Sequence, residues 1–273
     1  KIGMVSGRGL AGVLNRYYSK KLLYPVVIGL VIANTINAGA DIAAISAAIH
    51  MFVPIPISVM VIPIAVAIVV LQVWGSYRLI MKIFKWLTLS LFAYVIAAFL
   101  AKPDWWEVAK ATFVPHISFT SEYITTIVAI LGTTISPYLF FWEASEEVEE
   151  EKSEGRSKLS ERQGATDIEI KKEKIDTIVG MLFCNVVFYF VILAAGATLH
   201  VSGKTDIQSA TDAAQALRPL AGNFATVLFG IGLIGAGLLA VPVLTGSAAY
   251  AVAETFGWPS GLDEKPRHAK KFY

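Results

Sequence analysis

The residues best placed for chemistry lie in Ile124–Glu151, which reads ITTIVAILGTTISPYLFFWEASEEVEEE. Ile124–Trp142 is an apolar run of 19 residues, about 28 Å as a helix and so about one hydrocarbon core. Gly132, Thr133, Thr134, Ser136 and Pro137 interrupt it. Proline has no N–H and its ring crowds the carbonyl four residues back, and glycine adds backbone freedom. Backbone carbonyls near Thr133 are therefore expected to lose their helical partners at mid-membrane depth. Lipid tolerates such groups only where they are buried in protein or face a watery cavity. In transporters, helices broken this way hold cations with unwound carbonyls and half-helix ends. A plain proline kink is the competing reading.

Asp41 is a second candidate. An ionised group deep in an apolar segment costs about 2.5–3.5 kcal/mol on insertion scales and usually marks an ion or proton path. Asn34 and Asn37 precede it by seven and four residues, so the three share a helical face. That face should point into a bundle as a supporting polar stripe; a structural network between helices would use the same residues. Glu143, Glu146, Glu147 and Glu150 share another face, at a helix C-terminus where the dipole already disfavours negative charge. They suit a path for a departing cation, with Glu143 nearest the membrane. The competing reading is a solvated helix extension with Lys152 as counter-charge.

Other patterns carry less. Gly230-Ile-Gly232-Leu-Ile-Gly235-Ala-Gly237 matches a dinucleotide fingerprint by letter, but no strand precedes it, and small residues at this spacing let helices approach closely in lipid. His50, His116, His200 and His268 are scattered, and no Cys/His group has metal-site spacing. The single cysteine, Cys184, sits in an apolar run and reads as packing.

These residues need elements to hold them. The chain of 273 residues is 55% hydrophobic and 16% charged, which points to an all-α, polytopic membrane helix bundle. Spans are expected at about 24–49, 57–74, 84–100, 124–142, 178–201 and 224–253, the fourth broken and the last interrupted by Pro242. A charged loop covers 146–176, too short for a core of its own. The whole of 1–273 reads as one transmembrane domain, an internal piece of a longer protein. Alternate loops (1–23, 75–86, 146–176, 258–273) hold 19 of the 23 Lys and Arg, and the opposite loops hold four. This asymmetry puts the basic loops in the cytoplasm of a multi-pass protein in the cell membrane. Nothing suggests a nucleic-acid partner.

LGTTISPYLFFWEAS (131–145) resembles the sixth-helix pattern of the Nramp divalent-metal transporters, roughly L-G-A-T-V-M-P-H-N-x-Y-L-H-S. GADIAAI (39–45) resembles their third-helix pattern T-D-L-A-E-V. The resemblance implies the third to eighth helices of a LeuT-type inverted-repeat fold. It implies a secondary transporter, not an enzyme, with no cofactor and a divalent cation (Mn, Fe or Mg) as substrate. It places Thr133 and Ser136 at the metal, with Pro137 and Tyr138 along the pathway. Asp41 falls on the family's third-helix aspartate, which assigns it and Glu143 to a proton or ion path, with protons as candidate partners.

The departures have a chemical direction. The family's metal-binding methionine falls on Ser136, the alanine whose carbonyl helps bind metal falls on Thr133, and the two sixth-helix histidines fall on Tyr138 and Glu143. A family glutamate falls on Ala44. A hydroxyl and carbonyls favour hard ions where a thioether favours soft ones; these departures resemble the Mg-transporting branch and also fit a branch that still carries Mn²⁺. One alternative is a LeuT-fold transporter of an organic solute such as an amino acid. A membrane-embedded enzyme would need paired catalytic groups at one depth, and only Asp41 lies well inside. A metal sensor would need a folded cytoplasmic domain.

Overall fold

The computed structural model of the protein describes residues 1–114, 117–197, 203 and 210–273, with every side chain among them except those of 133, 210–223, 225 and 226. His116 and His200 lie outside the described residues. Among the described residues the regular structure is entirely helical. Two short helices, α1 (Ile2–Ser6) and α2 (Leu10–Tyr17), lead into α3 (Lys20–His50), α4 (Ile57–Trp74) and α5 (Tyr77–Thr88). A 3₁₀ turn joins α5 to α6 (Phe92–Leu100); α7 (Trp105–Phe113) follows. The remainder is α8 (Ser121–Thr134), α9 (Pro137–Ser153), α10 (Asp167–Ala195) and α11 (Ala210–Phe256). Six stretches are long and apolar enough to cross a membrane: Lys20–His50, Ile57–Trp74, Tyr77–Leu100, Ser121–Ser153, Asp167–Ala195 and Val227–Phe256.

Local sequence sets most boundaries. The Thr166 hydroxyl accepts from Glu169 N–H at 3.3 Å, and the Glu169 carboxylate accepts from Thr166 N–H at 2.8 Å. This reciprocal cap starts α10 well before its apolar run. Asp104 caps α7 by accepting from the N–H groups of Trp106 and Glu107. Gly155 and Gly164 adopt φ of 99° and 90° in the α9–α10 connection, a region that favours glycine.

Helix α11 is the hub, packing on α3, α6, α9, α2 and α5. Its glycines are what allow the approach. A Cβ at Gly230 would stand 2.7 Å from Phe52 Cζ, at Gly232 2.8 Å from Tyr94 Cζ, and at Gly237 2.5 Å from Ile45 Cγ1. The small-residue stripe is a packing surface, as its position in an apolar helix suggested. Gly237→Val should therefore destabilise the protein by about 1–3 kcal/mol through overpacking against α3. Gly180→Ala, where a Cβ meets nothing within 4 Å, should be neutral or slightly stabilising. Thermal unfolding in detergent checks both; equal melting temperatures would contradict the close α3–α11 approach.

Several expectations need correction. Pro242 does not interrupt the last span, because α11 runs unbroken through it. A proline removes one backbone bond, and neighbouring polar groups can reorganise around the loss. The bond lost is the one to the Leu238 carbonyl; Gln72 Nε2 donates one turn further on, to Pro242 O at 3.0 Å, and Thr245 Oγ1 donates to Val241 O at 2.8 Å. The helical segment that carries the third span begins at Tyr77, with Arg78, Lys82 and Lys85 on one face of α5, and the helix that carries the fifth begins at Asp167. The 146–176 segment is not simply solvated: Glu147, Glu149, Glu151 and Arg162 are all buried. Cys184 is exposed rather than packed.

Both chain ends are tied down. Gly164 N–H donates to Val5 O at 2.9 Å, strapping the α9–α10 connection to α1. The Tyr273 hydroxyl donates to Gly261 O and Glu264 O, each at 3.1 Å. Burial, with Glu149, Asp263 and Glu264 nearby, pushes that hydroxyl up to about 12.

Candidate functional site

The fourth span is broken where its sequence is least helical. Helix α8 closes with Ile135 N–H on Leu131 O at 2.9 Å. Ile135 (φ −100°, ψ 72°) and Ser136 (φ −89°, ψ 116°) then leave helical geometry, and Pro137 occupies the first turn of α9. Proline suits that position because an N–H there has no helical partner to lose. Pro137 has no N–H to offer the carbonyl of Thr133, which sits in the last turn of α8. The break is thus a two-residue interruption between two helices, more than a bend in one.

A cavity of about 380 Å³ opens beside this break. Asn34 and Asn37 on α3 form one wall; Gly132, Ser136, Pro137 and Tyr138 form the other. Ser136 is buried. Asn34 is fixed in place, since its Nδ2 donates to Leu244 O and to Ser247 Oγ, both at 2.8 Å, across to α11. Asn37 is exposed to the cavity side. The lining thus brings the side-chain amides of Asn34 and Asn37 and the hydroxyls of Ser136 and Tyr138 among apolar groups, and oxygen donors of this kind suit a hard cation.

The expected residues divide three ways. Asn34, Asn37, Ser136, Pro137 and Tyr138 come together around the cavity. Asp41 lies one helical turn along α3 from Asn37, outside the lining residues but within electrostatic reach of Tyr138. Glu143 lies on α9 away from the cavity, grouped with Glu147 and Glu173. The Thr133 side chain lies outside the described residues; its backbone belongs to the last turn of α8.

Sequence reasoning missed Glu254. Near the end of α11, its carboxylate accepts from Gly12 N–H at 2.9 Å and from Ser145 Oγ at 3.2 Å. Asn15 Nδ2 adds a bond to Thr255 O at 2.9 Å. This clasp joins α2, α9 and α11 at the foot of the broken span. An acid at the end of an otherwise apolar run, AVAETF, was its only sequence signal. Glu173 was missed as well, because only the reversal of chain direction between α9 and α10 brings it opposite Glu147.

A family model described as natural resistance-associated macrophage protein-like (Nramp) matches residues 1–272. The "Divalent metal cation transporter MntH" of Pectobacterium carotovorum subsp. carotovorum is 28% identical over 251 residues, covering 90% of this chain and 57% of the relative. The MntH transporter of Caldanaerobacter subterraneus subsp. tengcongensis is 30% identical over 145 residues, 53% of this chain and 32% of the relative. That of Clostridium acetobutylicum is 30% identical over 146 residues, 54% and 32% of the two chains. This chain spans about half, or less, of the length of these curated relatives.

Proposed function

The chain belongs to the Nramp family, and from that premise we propose that it is part of a secondary transporter that moves divalent metal cations across the cytoplasmic membrane. The observation that carries this reading is the interruption at Ile135–Ser136, opening on a cavity whose far wall is Asn34 and Asn37. Relatives named as divalent metal cation transporters support the cargo. In this reading the Thr133 carbonyl and the Ser136 hydroxyl hold the ion, and Pro137 and Tyr138 border its route. Asp41 and Glu143 lie on the proton or ion path. The 19-to-4 distribution of Lys and Arg supports cytoplasmic basic loops.

The ion preference follows from the donors. With a hydroxyl at 136 and no thioether, discrimination in favour of soft ions should weaken, so Mg²⁺ competes with Mn²⁺ and Fe²⁺. Uptake by the full-length protein in liposomes tests this. Excess Mg²⁺ should suppress Mn²⁺ uptake, and strong Cd²⁺ or Mn²⁺ uptake that Mg²⁺ leaves untouched would overturn the hard-ion preference. Ser136→Met should tighten Cd²⁺ by about tenfold, on the order of 1.4 kcal/mol. An unchanged Cd²⁺ affinity would place Ser136 off the ion's route.

A further inference from the structure

A second polar cavity, of about 210 Å³, lies between α9 and α10, away from the helix break. Seven of its ten lining residues are carboxylates and two are basic. Glu147 and Glu151 stand one turn apart on α9, and Glu173 faces them from α10. Carboxylate oxygens of Glu143, Glu147 and Glu173 lie within 4.8 Å of one another.

Clustered acids alone would not mark a site. The independent observation is Glu151. It is only 5% exposed, yet neither of its carboxylate oxygens has a hydrogen-bond partner. Its nearest cation, Arg156 Nη1, stands 3.6 Å away, beyond hydrogen-bonding range. That guanidinium instead hydrogen-bonds Glu169 and also lies 3.7 Å from Glu154. A buried carboxylate left without donors is costly. A cation in the cavity that Glu151 lines would supply the missing partner and offset the repulsion among its neighbours.

We propose that Glu147, Glu151 and Glu173, with Glu143 at the rim, form a binding site for a calcium-sized divalent cation. The preference follows from the ligands. Ca²⁺ takes about six to eight oxygens in flexible geometry, whereas Mg²⁺ demands near-ideal octahedral ligands at shorter distance. Carboxylates gathered from two separate helices, with no common octahedral frame, suit the more tolerant ion. The site also has a structural consequence. Helix α10 packs chiefly on α6, so a cation shared by Glu147 and Glu173 ties its polar end to α9. The proposal concerns binding between α9 and α10, and it holds whether or not a cation also passes the break at Ser136.

Calorimetric titration of Ca²⁺ into metal-free, full-length protein in detergent tests it. The wild type should bind Ca²⁺ with excess Mg²⁺ present, and Glu147→Gln/Glu173→Gln should lose one equivalent of it. Glu151→Gln alone should weaken that equivalent at least threefold. Ca²⁺ should also raise the melting temperature of the wild type but not of Glu173→Gln; this single change on α10 carries the test if the double variant does not fold. Unchanged stoichiometry in these variants, or displacement of Ca²⁺ by Mg²⁺ at comparable concentration, would overturn the site.

Discussion

Replacing Pro137 with alanine is expected to cut metal uptake by the full-length protein at least tenfold while leaving the protein folded. Proline in a helix interior costs about 3 kcal/mol relative to alanine, so its removal takes away the main obstacle to a continuous helix from Ser121 to Ser153. An alanine at 137 restores an N–H that can reach the Thr133 carbonyl. Taken alone, 3 kcal/mol is about a hundredfold in the balance between broken and continuous forms. Packing opposes part of that shift. Phe141 and Trp142 are buried, and Trp142 meets Tyr250 of α11 edge-on at 6.3 Å, which resists rotation of α9. Tenfold is what should survive. Uptake equal to wild type, with unchanged melting, would mean that the interruption does not hold the cargo.

The second large effect belongs to Asn34. It is 2% exposed and satisfies two acceptors on α11. Asn34→Leu removes both bonds and should destabilise the protein by about 1–3 kcal/mol, the cost of leaving buried polar groups short of partners. Ser247 Oγ still donates to Leu244 O at 3.2 Å, which limits the loss at that carbonyl. Asn34→Asp should be worse. An ionised carboxylate would set its oxygen against the Leu244 carbonyl, acceptor against acceptor, in a buried site. Thermal unfolding of the two variants side by side decides this. If aspartate proves as stable as leucine, Asn34 is not held to α11 through its amide nitrogen.

What could be read from the sequence follows the range of each interaction. Pro137, Ser136 and Gly132 act on their own backbone, so the broken fourth span was legible. The alternation of Lys and Arg reports crossings one by one, so six apolar helices were legible too. The packing role of Gly230, Gly232, Gly235 and Gly237 needed only their spacing. Pro242 looks like Pro137 in sequence. It differs in its surroundings: α11 is packed against α3, α6 and α9 along its length, and only the fold supplies those contacts. The acids of α9 could be placed on one face, but nothing local says that Glu173 returns to meet them. Glu254 reaches Gly12 across 242 positions, far outside any helical period.

The bare flank of α11 also limits how this molecule can move. At Gly230, Gly232, Gly235 and Gly237 the neighbours Phe52, Tyr94, Ser90 and Ile45 occupy the space where side chains would stand. A slip of α11 by a single position would swing Ile231 or Leu233 into those aromatic rings. The helix is therefore keyed into its groove, and sliding along its axis is blocked. Any displacement of α11 along its axis would have to carry α3 and α6 with it, so the three helices move as one block or not at all.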